Sequence, residues 1–381
     1  VKFEIVEKSG SARTGKLVTG HGTVKTPAFM PVGTQGTVKA VSPRELHEAG
    51  TQIILSNAYH LYLKPGHEFI RNFGGLHKLM GWEGPILTDS GGYQVFSLRD
   101  LNRIDADGVT FQSHYDGSRH LFTPRKVVEI QAALGSDIAM VLDDCPGYPC
   151  TRERAADSVT RSCLWASSSR DVFRSLEKEE ITNPGQVLFG ITQGSVYPDL
   201  RSESAGKMID LDMDGYAVGG LSVGEPKDAM LDMMIKSISE LPDQKPRYVM
   251  GIGYPTDIIE AVSAGADLFD CVVPTRLGRN GTVFTAGGRL QMRNSEFAKQ
   301  EEPIEEGCTC YTCTNFSRAY VRYLHNVGEI LGVRLTTIHN IHFFAHFMEE
   351  VREAIRISSL EKLAAKFYTF YKDSREKKRK I

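Results

Sequence analysis

Apolar strands alternate with helices through most of this chain, and several of the strands end on a carboxylate. GPILTDSGG delivers Asp89, SDIAMVLDD ends on Asp143 and Asp144, and ADLFDCVVPT carries Asp270. TQIILSNAYHL, QVLFGITQGS, GYAVGGLSVGE and RYVMGIG read as further strands, set among helical runs such as TPRKVVEIQAALG and PTDIIEAVSAG. Strand–helix alternation with short connections implies a parallel sheet. The strand count is near eight and no G-x-G-x-x-G follows the first strand, so the expected fold is α/β, a closed (β/α)8 TIM barrel rather than an open doubly wound sheet. On such a barrel the site lies at the C-terminal ends of the strands, where Asp89, Asp143, Gln193, Gly219, Gly220 and Asp270 fall.

The length of 381 residues suits one barrel with insertions. Residues 1–34 read as an N-terminal antiparallel β element and 35–275 as the main part of the barrel. A zinc-binding subdomain is expected over 276–345, and C-terminal helices completing the barrel, with a charged tail, over 346–381. VTFQSHYDGSRHLFTP reads as a hairpin turning at Asp116-Gly117. A net charge of -2 excludes a uniformly basic polyanion binder, so any nucleic-acid contact must come from a local patch. No apolar run is long enough to span a bilayer and no signal peptide is read at Val1, so no membrane association is expected. Seven cysteines, three of them clustered, fit a reducing cytoplasm better than a disulfide framework.

Cys308, Cys310 and Cys313 form C-x-C-x-x-C, with His339 downstream and His342 and His346 close by as alternatives. Three thiolates and one histidine make a closed tetrahedral set that suits structural zinc, with no open position for catalysis. Asp270 lies among Leu268, Phe269, Val272 and Val273, a setting for a shielded nucleophile at an anomeric carbon. Asp89 precedes the turn Ser90-Gly91-Gly92 and suits general acid/base work. Asp143 can accept from N–H donors of a flat heterocycle, Gln193 can donate and accept, and Tyr93 can stack. Any one strand-end acid is more simply a helix cap; several on one rim weaken that reading. Arg276 and Arg279 flank the Asp270 strand as candidate phosphate contacts, and Phe316, Tyr320 and Tyr323 read as a stripe on one helix.

The segments TDSGGYQV, DIAMVLDDC, FGITQGSV, GYAVGGLSVGE, GIGYPTDIIEAV, FDCVVPTRLGRNG and CTCYTC…HNI, in this order and over nearly the whole chain, resemble the bacterial tRNA-guanine transglycosylase family. The resemblance implies exchange of the wobble guanine in G-U-N anticodon tRNAs, those for Asp, Asn, His and Tyr. The incoming base would be 7-aminomethyl-7-deazaguanine, the precursor of queuosine, with queuine as the alternative. It implies that Asp270 is the nucleophile and Asp89 the general acid/base. Asp143, Gln193, Gly220 and the Leu221 backbone would read the base, between Tyr93 and Met250, and Arg276 and Arg279 would contact tRNA. It also implies ping-pong kinetics, one structural zinc per subunit held by Cys308, Cys310, Cys313 and His339, no organic cofactor and a homodimer. Cys145 and Val223 match the bacterial pattern for the smaller base. Asp144, where Glu is frequent, and Thr192, where Gln is common, depart from the pattern without removing a catalytic group. Two other classes stay open: a phosphate-binding barrel enzyme using GYAVGGLSVGE as its phosphate loop, and a zinc-stabilised RNA-binding protein.

Overall fold

The computed structural model describes residues 1–97, 102–177 and 181–371. Eight parallel strands close into a barrel in chain order: Ala28–Gly33, Ile54–Asn57, Ile86–Asp89, Ile138–Met140, Val187–Thr192, Gly215–Val218, Arg247–Val249 and Leu268–Cys271. The last strand pairs with the first, Leu268 beside Ala28 and Asp270 beside Met30, and shuts the ring. Ile86–Asp89, Val187–Thr192 and Gly215–Val218 are buried at every position, because side chains fill the interior and helices cover the outside.

Local chemistry sets where the helices start. Thr123 accepts from the Lys126 N–H and Thr151 from the Arg154 N–H, the third residues of Pro124–Leu134 and Arg152–Ser175. Ser42 and Glu45 complete a reciprocal capping box on Pro43–Glu48. Gly135, at φ +71°, ends the first of these in the left-handed conformation that glycine adopts freely.

The N-terminal element is shorter than the sequence reading of 1–34. Lys2–Ser9, Ala12–Thr19 and Gly22–Thr26 form a three-stranded antiparallel sheet, whereas Ala28–Gly33 is the first barrel strand. The physical difference is burial. Lys2–Ser9 has no fully buried residue, while Ala28–Gly33 is buried throughout and needs neighbours on both edges. The expected hairpin is present as Val109–Gln112 and Arg119–Phe122, joined by Asn102–Ile104 into a small antiparallel sheet, with Gly117 at φ +73°.

After the barrel come Val273–Arg279, the hairpin Thr282–Thr285/Gly288–Gln291, the cysteine segment, and the helices Tyr311–Asn315, Arg318–Val327, Ile330–Arg356 and Leu360–Phe370. Ile330–Arg356 is one continuous helix. His339 faces the cysteines, and Phe343, Phe344, Phe347, Met348 and Val351 are buried in the barrel's apolar cluster, Phe344 stacking on Phe29 at 4.7 Å. Phe316 is not on the Arg318–Val327 helix as expected; it caps the preceding helix and stacks on Tyr320 at 5.5 Å. The tail from Lys372 lies outside the described residues. Among those described, no helix is long and apolar enough to cross a membrane.

Candidate active site and metal centre

Asp89 closes the third barrel strand, directly beside Asn57 at the end of the second. Its carboxylate accepts from Asn57 Nδ2, from the Ala58 N–H at 2.9 Å and from Gln94 Nε2 at 2.7 Å. Burial outweighs these donors, and with the neighbouring negative charge of Asp270 it lifts the Asp89 carboxyl from 3.8 to about 6. Asp270 follows on the eighth strand. Its Oδ1 accepts from Tyr248 Oη at 2.6 Å and the Gly251 N–H at 2.8 Å, while burial raises its pKa above the usual range. Tyr248 itself is pushed far above 10 by burial and by Asp270, so it stays a donor.

Asp143 lies just past the end of the fourth strand. It accepts from Gln193 Nε2 at 2.7 Å and Ser90 Oγ at 3.3 Å, and burial, with Asp144 and Asp89 nearby, raises it to about 6. Gln193 is fully buried, and its Oε1 has no hydrogen-bond partner among the described residues. That oxygen borders Gly220, where φ is +63° and a Cβ would come within 2.1 Å of it. A Cβ at Gly92 would meet Asp143 Oδ1 at 2.7 Å, so backbone fills the space between the two acidic strand ends. An acid, an amide with a spare acceptor and a glycine turn thus lie side by side on one edge of the rim.

The other expected residues fall on the same rim. Met250 and the buried Leu221 follow the seventh and sixth strands; Met250 is half-buried. Tyr93 adjoins Gln94 and is 50% exposed, as a stacking ring at a site mouth must be. Arg276 is exposed and Arg279 half-buried on Val273–Arg279; burial, with Arg276 beside it, lowers the Arg279 pKa. Arg279 Nη1 is buried without a hydrogen-bond partner among the described residues.

Sequence reasoning missed the residues that hold these groups in place. Tyr248 sits inside a barrel strand beside Leu268, where an inward hydroxyl two strand positions before Met250 was the available signal. Arg201 is completely buried and donates to Ser195 O at 2.8 Å, Gly219 O at 2.7 Å and Gly220 O at 3.0 Å. It therefore fixes the glycine turn beside Gln193, and burial lowers its guanidinium to about 10. Its signal was helical phase: Arg201, Ser204, Ala205 and Met208 share the buried face of Pro198–Ile209.

Beyond the barrel strands in sequence, Cys308, Cys310, Cys313 and His339 converge. His339 Nδ1 lies 3.9, 3.6 and 3.4 Å from the Sγ atoms of Cys308, Cys310 and Cys313. Tetrahedral coordination places sulfur and nitrogen donors about 3.6 Å apart. His339 Nε2 is 2.8 Å from Phe284 O, which assigns the proton to Nε2 and turns the Nδ1 lone pair to the thiols. The four residues fit one metal ion. His342 instead contacts Thr309 Oγ1 at 3.4 Å, and His346 pairs with Glu349 at 3.5 Å, so neither belongs to the set.

The family model described as queuine tRNA-ribosyltransferase matches residues 8–373. Curated relatives carry the same name. The protein from Desulforamulus reducens is 53% identical over 356 residues, covering 93% of this chain and 94% of the relative. That from Thermoanaerobacter pseudethanolicus is 52% identical over 373 residues, covering 97% and 98%. That from Caldanaerobacter subterraneus is 50% identical over 378 residues, covering 99% of each. On this match, and with acids gathered on the rim of a closed barrel, the chain belongs to the queuine tRNA-ribosyltransferase family of pentosyltransferases.

Proposed function

We propose that this enzyme exchanges the wobble guanine of G-U-N anticodon tRNAs for 7-aminomethyl-7-deazaguanine by ping-pong covalent catalysis. Asp270 is the nucleophile and Asp89 the general acid/base. The observation that carries the reading is the pair of carboxylates on one barrel rim, Asp89 ending the third strand and Asp270 on the eighth. They are near enough that the charge of Asp270 adds to burial in lifting Asp89 to about 6.

Tyr248 and Gly251 hold Asp270 by Oδ1, so Oδ2 is the attacking oxygen. It bonds to ribose C1′, the C1′–N9 bond breaks with its electron pair going to guanine, and guanine takes a proton from Asp89. Ester formation removes the charge of Asp270, which had raised the Asp89 pKa, so Asp89 becomes a stronger acid as the base departs. In the second half Asp89 takes a proton from the incoming base, whose N9 attacks C1′ and releases Asp270 as carboxylate. Two displacements retain the sugar configuration.

Asp143 and the spare Gln193 Oε1 read the purine edge with Gly220 and the Leu221 backbone, and Tyr93 and Met250 hold its faces. Arg276 and Arg279 contact the anticodon loop, consistent with the unpartnered Arg279 Nη1. The metal at the Cys3His set is zinc, chosen by the donor chemistry, and its role is structural. The aromatic face of Tyr320 and Tyr323, 40% and 57% exposed, supports a homodimer; a monomer in sedimentation at working concentration would remove that part. Seven cysteines without a disulfide suit the cytoplasm.

The test is incorporation of radiolabelled guanine into a G-U-N tRNA. The wild-type chain should exchange label, and Asp270→Asn should lose exchange by about 10⁴-fold or more while still binding tRNA. Retained exchange in that variant defeats the mechanism. Competition between the aminomethyl base and queuine, the base in the relatives' name, separates the two substrates.

A further inference from the structure

Three donors that the exchange does not use meet at the opposite mouth of the barrel. Asp137, fully buried, stands immediately before the fourth strand, Ile138–Met140. Its Oδ1 lies 2.9 Å from His21 Nδ1 and its Oδ2 3.2 Å from His77 Nε2. His21 occupies the turn between the antiparallel strands Ala12–Thr19 and Gly22–Thr26, and His77 lies on the short helix Leu76–Met80. The two rings face each other with centroids 3.5 Å apart and planes 13° from parallel.

The two rings share one carboxylate. His77 Nε2 is buried and faces Asp137 Oδ2 at 3.2 Å, off the line of a well-formed N–H···O bond. One nitrogen from each ring and one oxygen of Asp137 all lie within 4.8 Å of one another. Donors 2.0–2.2 Å from a tetrahedral zinc are about 3.4 Å apart, a spacing close to that of these atoms, and the two rings swing out of their parallel stack to aim both lone pairs at one ion. The Ile86 N–H donates to Asp137 Oδ2 at 2.9 Å and fixes the carboxylate, the outer-shell support that metal-binding acids have. Side-chain exposures of 31% for His21 and 13% for His77 give an ion a way in.

We infer that His21, His77 and Asp137 form a second metal site, for one divalent transition ion of the zinc type, with water completing its coordination. Two imidazoles and a carboxylate select zinc, cobalt or nickel over magnesium and calcium. The three ligands come from a turn of the N-terminal sheet, a helix and the residue that leads into a barrel strand. The ion is a clasp that ties the sheet to the barrel floor, remote from the chemistry.

Full-length protein with its Cys3His set filled is equilibrated with Zn²⁺, desalted, and its metal counted by plasma mass spectrometry. Two ions per chain are expected for wild type and one for the His21→Ala/His77→Ala double variant, with guanine exchange within about twofold of wild type. Zn²⁺ should raise the wild-type Tm by about 3 °C at a hundredfold excess over Kd and leave the variant unmoved. Added Co²⁺ should give d–d bands without thiolate charge transfer. One ion per wild-type chain, or the same count in both proteins, overturns the inference. Should the double variant not fold, His21→Asn, on the surface turn, must show the same loss of one ion.

Discussion

Asp89 and Asp143 are buried acids whose charged forms the fold penalises, and pH exposes that penalty. Both are raised from 3.8 to about 6 by burial. Between those values the folded chain keeps protons that the unfolded chain has released. Stability from each group therefore falls as pH rises through about 4 to 6 and is constant above, a loss of about 2–3 kcal/mol per group. Asp143→Asn cannot ionise and escapes the loss. Urea unfolding should show the variant gaining on wild type by about 2–3 kcal/mol between pH 4 and pH 8. A difference that stays constant with pH contradicts the burial argument. The same ionisation should appear in catalysis: expulsion of guanine needs Asp89 protonated, so kcat/KM for tRNA should fall as pH rises through about 6, a fall that is absent if Asp89 is not the acid. The acids Asp89, Asp143 and Asp270 are legible in the sequence because each ends a local apolar run, and such a run declares its own geometry. Tyr248, Asn57 and Arg201 are not, because their value lies in partners on other strands: Asp270, Asp89 and the Gly219-Gly220 carbonyls.

The helix Ile330–Arg356 joins the cysteine cluster, the Val273–Arg279 helix and the Thr282–Thr285 strand through a few buried polar groups. Asn340 donates to Pro274 O at 2.9 Å and Thr282 O at 3.0 Å and accepts from the Phe284 N–H at 3.0 Å. One residue earlier, His339 reaches the cysteines; four earlier, Thr336 donates to Gly278 O at 2.8 Å. Asn340→Ala strands one buried donor and two buried acceptors and should cost about 2–4 kcal/mol in urea unfolding while the metal stays bound. A cost below about 0.5 kcal/mol would show that the helix is held by its apolar face alone. The helical pattern of this segment was readable, as was the C-x-C-x-x-C spacing, because both are local. The boundary between the N-terminal sheet and the first barrel strand is hard to read because only Pro27 parts Gly22–Thr26 from Ala28–Gly33. The unbroken apolar run AFMPV, against the alternating KFEIVEKS, nonetheless marks a strand covered on both faces. Phe316 falls outside the Arg318–Val327 helix because ring spacing alone does not reveal that one helix ends at Phe316 and the next starts at the Ser317 cap.

Over the whole molecule, the N-terminal sheet is locked to the end of the barrel by one buried ion pair. Arg13 donates to Asp267 through Nε at 3.0 Å and Nη2 at 2.5 Å, and also to the Lys245 carbonyl at 2.9 Å. Both side chains are fully buried, and Asp267 also accepts from the Arg247 N–H at 2.8 Å. Arg13→Ala leaves that carboxylate without its cation and should lower stability by about 3–5 kcal/mol at pH 7. Burial already raises the Asp267 pKa, and loss of Arg13 raises it further, so the deficit should shrink in acid. An equal deficit at pH 5 and pH 8 would argue for lost packing instead. The seam between Ala28–Gly33 and Leu268–Cys271 has a consequence for synthesis. A nascent chain that has emerged only as far as Val249 displays seven strands with two bare edges, and no rearrangement of what is already made can cover them. Until the eighth strand leaves the ribosome, those edges need a chaperone or simple haste.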